Sequence, residues 1–293
     1  MKGLVRYSLV ASIGLGLIGP ATAQGTVVTV GSPLTSTGGS LMSGSPETLA
    51  NFALPEAGAN VTSPVDGVVI RWRVQGASGG PFRLRVLKPV GGMTYTAVSS
   101  SAPETPASTD TQTFTTNLPL NAGDLIGLDM TNSSEQIGLG TIPSPDSFFE
   151  FWSPPLADGE TRAGSTGTSA EEVLFNADVA TIPSNADTLG KVKRNKHKGT
   201  AILAVDVPGP GTVALTGKGV KTQRTGRAAD ASKAVTAAGT VKLLVKPKGK
   251  AKHKLNKTGK AKVKVTVTYT PTGDAPGSPN TQTKRVKLVK KLG

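Results

Sequence analysis

The sequence contains no cysteine and only two histidines among its 293 residues. Without cysteine, a disulfide framework, thiolate chemistry and metal sites with cysteine ligands are excluded. Both histidines, His197 and His253, lie among lysines, so the first 180 residues contain none. A Ser-His-Asp triad is therefore excluded from that part of the chain, and two scattered histidines are too few for a histidine-ligated zinc site. We predict no metal site, no cofactor and no catalytic residue.

No apolar run in the sequence is long enough to cross a bilayer, which needs about 20 apolar residues. The N-terminus instead has two basic residues, an apolar run over residues 9–18 and small residues up to Ala23. This order is typical of a secretory signal peptide, and the alternative is an uncleaved N-terminal anchor. We therefore predict a signal peptide over residues 1–23, a mature chain without a membrane span, and a secreted, extracellular or cell-surface location.

Aromatic residues are scarce, at 4% of the sequence, whereas there are 36 glycines and 21 prolines. The glycines and prolines lie between short stretches in which apolar and polar residues alternate, which is the pattern of half-buried β-strands. In one such stretch, GVVIRWRVQG, Trp72 shares an apolar face with Ile70 and Val74, and arginines occupy the other face. The sequence therefore predicts an all-β protein and places Trp72 in a hydrophobic core.

The net charge of +14 conceals two regions of opposite sign. Residues 24–182 contain six basic and fifteen acidic side chains, whereas residues 183–293 contain 25 basic and four acidic ones. The segment TIPSNADTLGKVKRNKHKG, where the sign changes, is polar and has no apolar periodicity. We interpret the asymmetry as an acidic domain over residues 24–180, a linker over residues 181–199 and a basic domain over residues 200–293.

Both domains are predicted to be antiparallel β-sandwiches. The first has eight to ten short strands, separated by turn signals at intervals of about ten residues, which favours a jelly-roll-like sandwich. The second has about 95 residues and six or seven strands, which is the size of an immunoglobulin-like sandwich. The predicted fold class is thus all-β, with two sandwiches behind a signal peptide.

The most distinctive segment is KPKGKAKHKLNKTGKAKVKVTVTY, in which lysine recurs at every second position. In its first part the lysines alternate with Pro, Gly, Ala and His, which build no core, so we predict an exposed basic loop over residues 246–254. From residue 260 they alternate with Ala261, Val263 and Val265, which predicts a strand with valines inward and lysines outward. The alternative is a disordered polycation. The lysines concerned are Lys246, Lys248, Lys250, Lys252, Lys254, Lys260, Lys262 and Lys264.

The segments GVVIRWRV, FRLRVLKP, TFTTNLPLNAGDLIGLDM and EEVLFNADV resemble a β-sandwich module of secreted bacterial proteins, mostly of unassigned activity. The segments GTAILAVDVPGPGTVALTGKGVK, GTVKLLVKPKGKAKHKLNKTGKAKVKVTVTYTPTGD and KRVKLVKK are similar to a lysine-rich immunoglobulin-like repeat of the same class. The resemblance implies a fold and a location, and it implies no catalytic residues. Some similar proteins continue into Asp-rich calcium repeats, whereas this chain continues into the lysine-rich module, so that calcium chemistry is not implied.

The basic domain indicates attraction to polyanions, such as anionic cell-envelope polymers, acidic polysaccharides or non-specifically bound nucleic acid. Recognition of nucleic acid usually adds aromatic side chains for base stacking. Here Tyr269 is the only aromatic residue after Phe175. Binding through charge alone is expected to be unselective and sensitive to salt. The alternative is that the lysines only keep the surface soluble and protect strand edges.

In the acidic domain, four of the twelve aromatic residues fall within FFEFW, residues 148–152. As a strand, this segment places Phe148, Glu150 and Trp152 on one face, where the rings could stack on a sugar and the carboxylate could accept its hydroxyl hydrogen bonds. The alternative is that this face is core or lies under a loop. A glycosidase would need two carboxylates in this region, and the candidates are Asp146, Glu150, Asp158 and Glu160.

These observations favour a non-catalytic secreted or cell-surface binding protein. Its basic domain would be attracted to anionic envelope polymers, while its acidic domain would present a face for a ligand or a carbohydrate. The alternative is a secreted polysaccharide hydrolase that uses carboxylates of the first domain. Such an enzyme needs two carboxylates about 5 to 10 Å apart in a cleft.

Overall fold

The structure is a computed structural model, and it describes residues 26–36, 41–43, 45–142, 144, 146–224 and 235–292. Strands make up 56% of the chain, and the described part contains one short helix. The antiparallel, mostly β architecture predicted from alternation is therefore confirmed. The predicted signal peptide, residues 1–23, lies outside the described residues. Within the described ranges, no helix has the length and apolar character needed to cross a membrane.

The part of the chain before residue 182 contains β1 to β14. Their bounds are Val27–Gly31, Leu41–Ser43, Glu47–Ala53, Gly67–Val74, Arg83–Gly91, Thr94–Ser100, Gln112–Leu120, Leu125–Met130, Gln136–Thr141, Phe148–Trp152, Thr161–Ala163, Ser165–Ser169, Glu171–Val173 and Phe175–Thr181. One sheet has the order β1-β14-β4-β7, a second has the order β11-β6-β5-β8-β3-β10-β12, and a short third sheet has the order β13-β9-β2.

The two larger sheets share one hydrophobic core. Trp72 and Phe175 of the four-stranded sheet are fully buried there, and Leu84 and Phe149 enter the same cluster from the seven-stranded sheet. The arrangement has the character of a β-sandwich, in which two sheets bury one face each against the other. The prediction that Trp72 is a core residue is confirmed.

Alternation in β4 is interrupted by a β-bulge. The register of β4 shifts between Val69 and Arg71 against β7, so Ile70 does not share the face of Trp72 as the sequence predicts. Val69 and Trp72 point into the main core, whereas Val68 and Ile70 lie on the opposite face of the sheet. A bulge adds one residue to a strand and thereby reverses the alternation beyond it.

The part of the chain after residue 187 contains β15 to β21 and helix α1. Their bounds are Thr188–Asn195, Thr200–Val207, Gly211–Thr216, Gln223–Arg224, Gly239–Val245, Lys260–Pro271 and Asn280–Val289 for the strands, and Gly249–Thr258 for α1. Strands β15-β16-β19 form one sheet, and β18-β17-β20-β21 form the other. Aliphatic residues of both sheets and the buried ring of Tyr269 form a second core.

Strand β20 has the pattern that its sequence predicts. Ala261, Val263 and Val265 are buried in the second core, while Lys262 and Lys264 on the alternate positions are exposed. The phenolic oxygen of Tyr269 lies 3.0 Å from the carbonyl oxygen of Gly209, which fixes the far end of the strand. Half of the lysine-rich segment is therefore a folded strand.

The predicted basic loop is wrong from residue 249 onward, because Gly249–Thr258 is a helix. Leu255 anchors the helix with an exposed fraction of 1%, and Gly259 ends it in the left-handed region with a φ of 68°. Lysine and alanine are good helix formers, so one buried leucine and a C-terminal glycine suffice for a short helix on the surface of a sheet. The two-residue lysine period of this segment conceals the single apolar residue that holds the helix.

The segment interpreted as a linker, residues 181–199, contains strand β15. This strand pairs with β16, and its Leu189 and Val192 pack against the second core. The register shifts between those two residues, so a bulge separates them and conceals the alternation in the sequence. Only residues 182–187 lie between β14 and β15.

The two halves of the chain touch through a small apolar cluster. Ala275, from the loop between β20 and β21, is 1% exposed and packs with Val68, Ile70 and Ala180 of the first sheet. Ala275 therefore covers the side of β4 and β14 that faces away from the main core.

Candidate functional site

A groove of about 1040 Å³ lies on the second half, where three pieces of chain meet. The β15–β16 hairpin forms one side, the end of β19 forms the floor with β16, and the residues after β21 form the other side. The lining residues are Lys193, Arg194, Asn195, Lys196, His197, Lys198, Thr200, Ile202, Leu244, Lys246, Lys290 and Lys291.

Local hydrogen bonds hold the sides of the groove in place. The side-chain oxygen of Asn195 accepts hydrogen bonds from the backbone N–H groups of His197 and Lys198, at 3.1 and 3.0 Å. Gly199 then takes a left-handed φ of 63° and completes the turn. The N–H of Lys291 donates to the carbonyl oxygen of Lys196 at 2.8 Å, which fastens the C-terminal segment to the hairpin.

The groove carries strong positive charge over a partly apolar floor. Seven lysines and arginines line it, and its lining within the described residues includes no carboxylate. Ile202 and Leu244 at the floor are each 38% exposed. Cations gathered around a concave surface raise the local concentration of anions, and the floor offers contact to apolar parts of a ligand.

All eight lysines that the sequence singled out are exposed, but the structure does not bring them together. Lys246 alone lines the groove, Lys248 precedes α1, and Lys250, Lys252 and Lys254 lie on the helix. Lys260, Lys262 and Lys264 lie on β20. Most of the groove comes from residues that the sequence did not indicate, in the segment interpreted as a linker and in the C-terminal pair Lys290 and Lys291.

Two like-charged pairs stand opposite each other on the outer face of β20 and β21. Lys262 lies directly across from Lys287, and Lys264 lies across from Arg285. All four side chains are exposed. Directly opposed residues of antiparallel strands share a face, with Cβ atoms about 4.5–5.5 Å apart, and like charges there are destabilising. This cationic face adds to the positive field of the second half.

The predicted aromatic site in the first half is closed. Trp152 is 2% exposed, and its indole N–H donates to the carbonyl oxygen of Arg162 at 3.2 Å. Its ring packs edge-to-face on Tyr95 at 5.6 Å, and Phe148 packs on Phe52 at 5.2 Å. The chain at Arg162 and Gly164, which connects the two edge strands β11 and β12, lies against Trp152 and Glu150. Neither Trp152 nor Glu150 offers a surface to a ligand in this structure.

Glu150 is fully buried beneath Gly164. A Cβ atom at Gly164 would lie 2.8 Å from a carboxylate oxygen of Glu150, so the glycine makes room for the acid. Neither oxygen has a hydrogen-bond partner among the described residues. Burial raises the pKa of Glu150 from 4.5 to about 7, because the ionised form loses its hydration.

The remaining candidate carboxylates have different surroundings. Asp158 accepts a hydrogen bond from Arg85 at 2.6 Å, and Glu160 lies 3.5 Å from Arg162. Asp146 is exposed. Among the described residues, no group of three or more histidine, aspartate or glutamate side chains is placed to hold a metal ion.

A second buried acid, Glu172 in β13, is not indicated by the sequence. It is 0% exposed, and Gly140 stands across from it in β9. Burial raises the pKa of Glu172 to about 7; the Ser32 hydroxyl opposes this shift and the carboxylate of Glu56 adds to it. The pair Glu171-Glu172 reads in the sequence as an ordinary solvated edge, so only the fold shows that one of the two is buried.

A comparison of the chain with models of protein families finds none that matches. A comparison with curated proteins finds no match either. The groove, the cationic face and the two buried acids are therefore interpreted from their geometry alone.

Proposed function

We propose that this chain is a non-catalytic, secreted or cell-surface binding protein whose second half binds anionic polymers of the cell envelope. The finer architecture belongs to the same proposal: a jelly-roll-like first sandwich and an immunoglobulin-like second sandwich, behind a signal peptide cleaved after Ala23. Export is checked by the N-terminus of the mature protein, which is expected at Gln24.

The observation that carries the proposal is the groove with seven cationic side chains over Ile202 and Leu244. In the part of the chain that the structure describes, all five ion pairs lie in the first half, from Arg71–Asp178 to Arg162–Glu160. The lysines of the groove thus keep their charge available to a partner. Polymers with closely spaced phosphate or carboxylate groups match this surface best, because each lysine then releases a condensed counterion.

The test is the salt dependence of binding to a fluorescently labelled polyphosphate chain. For five neutralised phosphates, log affinity is expected to fall with log salt with a slope of roughly −4, from about 0.7–0.9 per contact. A neutral polymer such as dextran is expected not to bind. If the chain does not bind polyphosphate at 25 mM salt, the proposal is wrong.

Two variant sets with the same charge change separate the groove from net charge. The groove set replaces Lys193, Lys196, Lys198, Lys246 and Lys291 by glutamine. The helix set replaces Lys248, Lys250, Lys252, Lys254 and Lys257 by glutamine. All ten side chains are exposed. We expect the groove set to weaken binding at least tenfold and flatten the slope, and the helix set to weaken it less than threefold; equal losses would contradict a role for the groove.

A further inference from the structure

The most unusual group outside the cationic surface is the carboxylate of Glu172. The residue is 0% exposed, yet neither of its carboxylate oxygens has a hydrogen-bond partner among the described residues. One oxygen of Glu56 is also buried without a partner. The carboxylate of Glu56 is close enough to Glu172 to raise its pKa further. Two carboxylates close together in a poorly hydrated space repel each other.

Other oxygen atoms lie close to Glu172. A Cβ atom at Gly140 would lie 2.6 Å from the hydroxyl of Ser36 and 2.9 Å from a carboxylate oxygen of Glu172, so both oxygens lie beside the same side-chain-free position of β9. The hydroxyl of Ser32, which is fully buried, is close enough to lower the pKa of Glu172 against the effect of burial. Two carboxylates and two hydroxyl groups thus lie in this region, and they come from three separate pieces of chain.

The framework around these oxygens is rigid. The side chain of Asn51 donates to the carbonyl oxygen of Val173 at 2.9 Å and accepts from its N–H at 2.8 Å, which fixes β13 against β3. The N–H of Ser32 donates to the carbonyl oxygen of Phe175, and the amide of Asn176 donates to the carbonyl oxygen of Ser32. Backbone and amide contacts thus place Ser32 and Glu172 independently of what lies between them.

We infer that Glu56 and Glu172, with the hydroxyl groups of Ser32 and Ser36, bind a divalent cation, and that calcium fits best. Carboxylate and hydroxyl oxygens are hard ligands, and calcium accepts irregular sets of six to eight oxygens that include water. Magnesium fits less well because it demands near-octahedral geometry and gives up water reluctantly. With only two carboxylates the affinity falls in the weak range of extracellular modules, with a Kd of about 10⁻⁴–10⁻³ M.

The cation would join the loop after β1, the turn after β3 and the edge strand β13. Those pieces surround one end of the first sandwich, far in sequence from the lysine-rich half. The inference is therefore independent of the proposed polyanion binding, and neither result decides the other.

The test is calorimetric titration of the full chain with calcium chloride at pH 7.5. We expect saturable binding of one ion per chain. Magnesium is expected to bind at least tenfold more weakly.

Three single substitutions decide which residues form the site. Glu172→Gln and Glu56→Gln are each expected to weaken calcium binding at least tenfold. Glu171→Gln removes the same charge from the next position of β13, which alternates to the other face, and is expected to change the affinity less than twofold. Because Glu56 is only half-buried and lies in a turn, its variant is expected to fold even if Glu172→Gln does not.

Several results would overturn the inference. If the wild type shows no saturable calcium binding up to 10 mM, the two carboxylates share only a proton. If Glu171→Gln weakens binding as much as Glu56→Gln, the effect is one of general negative charge. If both substitutions at Glu56 and Glu171 leave calcium affinity unchanged, the ion binds elsewhere.

Discussion

The two halves of this chain treat charge in opposite ways. In the first half, arginines form ion pairs with carboxylates, and several of these carboxylates are buried. In the second half, lysines cover the outside of the sheets and the groove, and their side chains face solvent. Paired arginines hold a fold together, whereas unpaired lysines remain available to another molecule. We propose that the paired charges of the first half serve the fold, whereas the exposed charges of the second half serve binding.

The first half uses its ion pairs to fix the outer faces of its sheets. Burial opposes ionisation of Asp178, but hydrogen bonds from Arg73, Arg71 and Thr29 outweigh it and lower the pKa of Asp178 to about 2. On the other sheet, Arg85 is 5% exposed and donates to Asp129 and Asp158. Arg85 lies on the face away from the main core, and Asp158, from the segment after β10, contacts it there.

In the second half, like-charged side chains stand opposite each other and repel each other. Lys262 and Lys287, for example, stand directly across from each other, and no ion pair among the described residues includes either of them. Such pairs cost stability in an isolated sheet and lose that cost when an anion lies over them. A polyanion is therefore expected to stabilise this half and to leave the first half unchanged.

The largest loss of stability is expected when charges are placed in the core of the second half. Replacing Val263 and Val265 by lysine puts two charges into the core formed by β20, because both valines are buried. An unpaired buried charge costs several kcal/mol, so we expect the second half to unfold. The measurement is limited proteolysis, with Lys262→Gln and Lys264→Gln as the matched control on the exposed face. Equal protease resistance of both variants would mean that β20 is not folded against a core.

The next effect concerns the first half. Replacing Arg85 by alanine leaves Asp129 buried, at 2% exposure, without its cationic partner. Loss of one member of a buried ion pair is expected to cost about 3–5 kcal/mol of unfolding free energy. Lys264→Ala in the second half removes an exposed charge and is expected to change stability by less than about 0.5 kcal/mol. Chemical denaturation measures both, and equal costs would remove the distinction between structural and free charge.

The sequence predicted strands with regular alternation and failed where that alternation was broken. Strand β20 follows a strict two-residue period over ten positions, and its buried face was predicted residue by residue. Strands β4 and β15 contain bulges, so the alternation predicts the wrong face for Ile70 and indicates no strand at β15. Helix α1 has a single buried anchor, Leu255, which is too little to produce a helical period.

The candidate site, too, could be predicted only in part from the sequence, but for a different reason. That the second half is cationic follows from composition, but the groove combines residues 193–198, 246 and 290–291, which only folding brings together. The burial of Glu150 and Trp152 depends on the chain around Gly164, between β11 and β12, which packs against both side chains. The position of Glu172 depends on Gly140 in another strand. Residue types indicate chemistry, but burial comes from partners distant in sequence.

An effect of intermediate size is expected at Glu150, a buried acid of the first half without an ion-pair partner among the described residues. Glu150 has a pKa raised from 4.5 to about 7 by burial, so the folded state binds its proton more tightly than the unfolded state does. Its contribution to stability is complete below about pH 4.5 and is lost as the pH rises through 7. Glu150→Gln removes this dependence. Relative to the wild type, the variant is expected to gain about 2–3 kcal/mol of unfolding free energy between pH 4.5 and 8.

Denaturation curves across that pH range check the prediction. Tryptophan fluorescence is the suitable probe, because Trp72 and Trp152 both lie in the first half. The matched control is Asp146→Gln, at an exposed acid of the same half. A wild type and a Glu150→Gln variant with parallel pH profiles would show that Glu150 is ionised in the folded state.

The smallest effect is expected at the contact between the halves. Ala275 packs on Val68, Ile70 and Ala180, and a buried methyl group contributes about 0.8 kcal/mol. Ala275→Gly is therefore expected to lower the unfolding free energy of the first half by about 1 kcal/mol or less, followed by tryptophan fluorescence in the full chain. Gly273→Ala, in the same loop, serves as a control outside the cluster.

Because each half has its own core, the change should leave the near-ultraviolet signal of Tyr269 in place. A loss of several kcal/mol, or simultaneous unfolding of both halves, would show that they form one cooperative unit, and the division between structural and binding charge would then lie within a single domain.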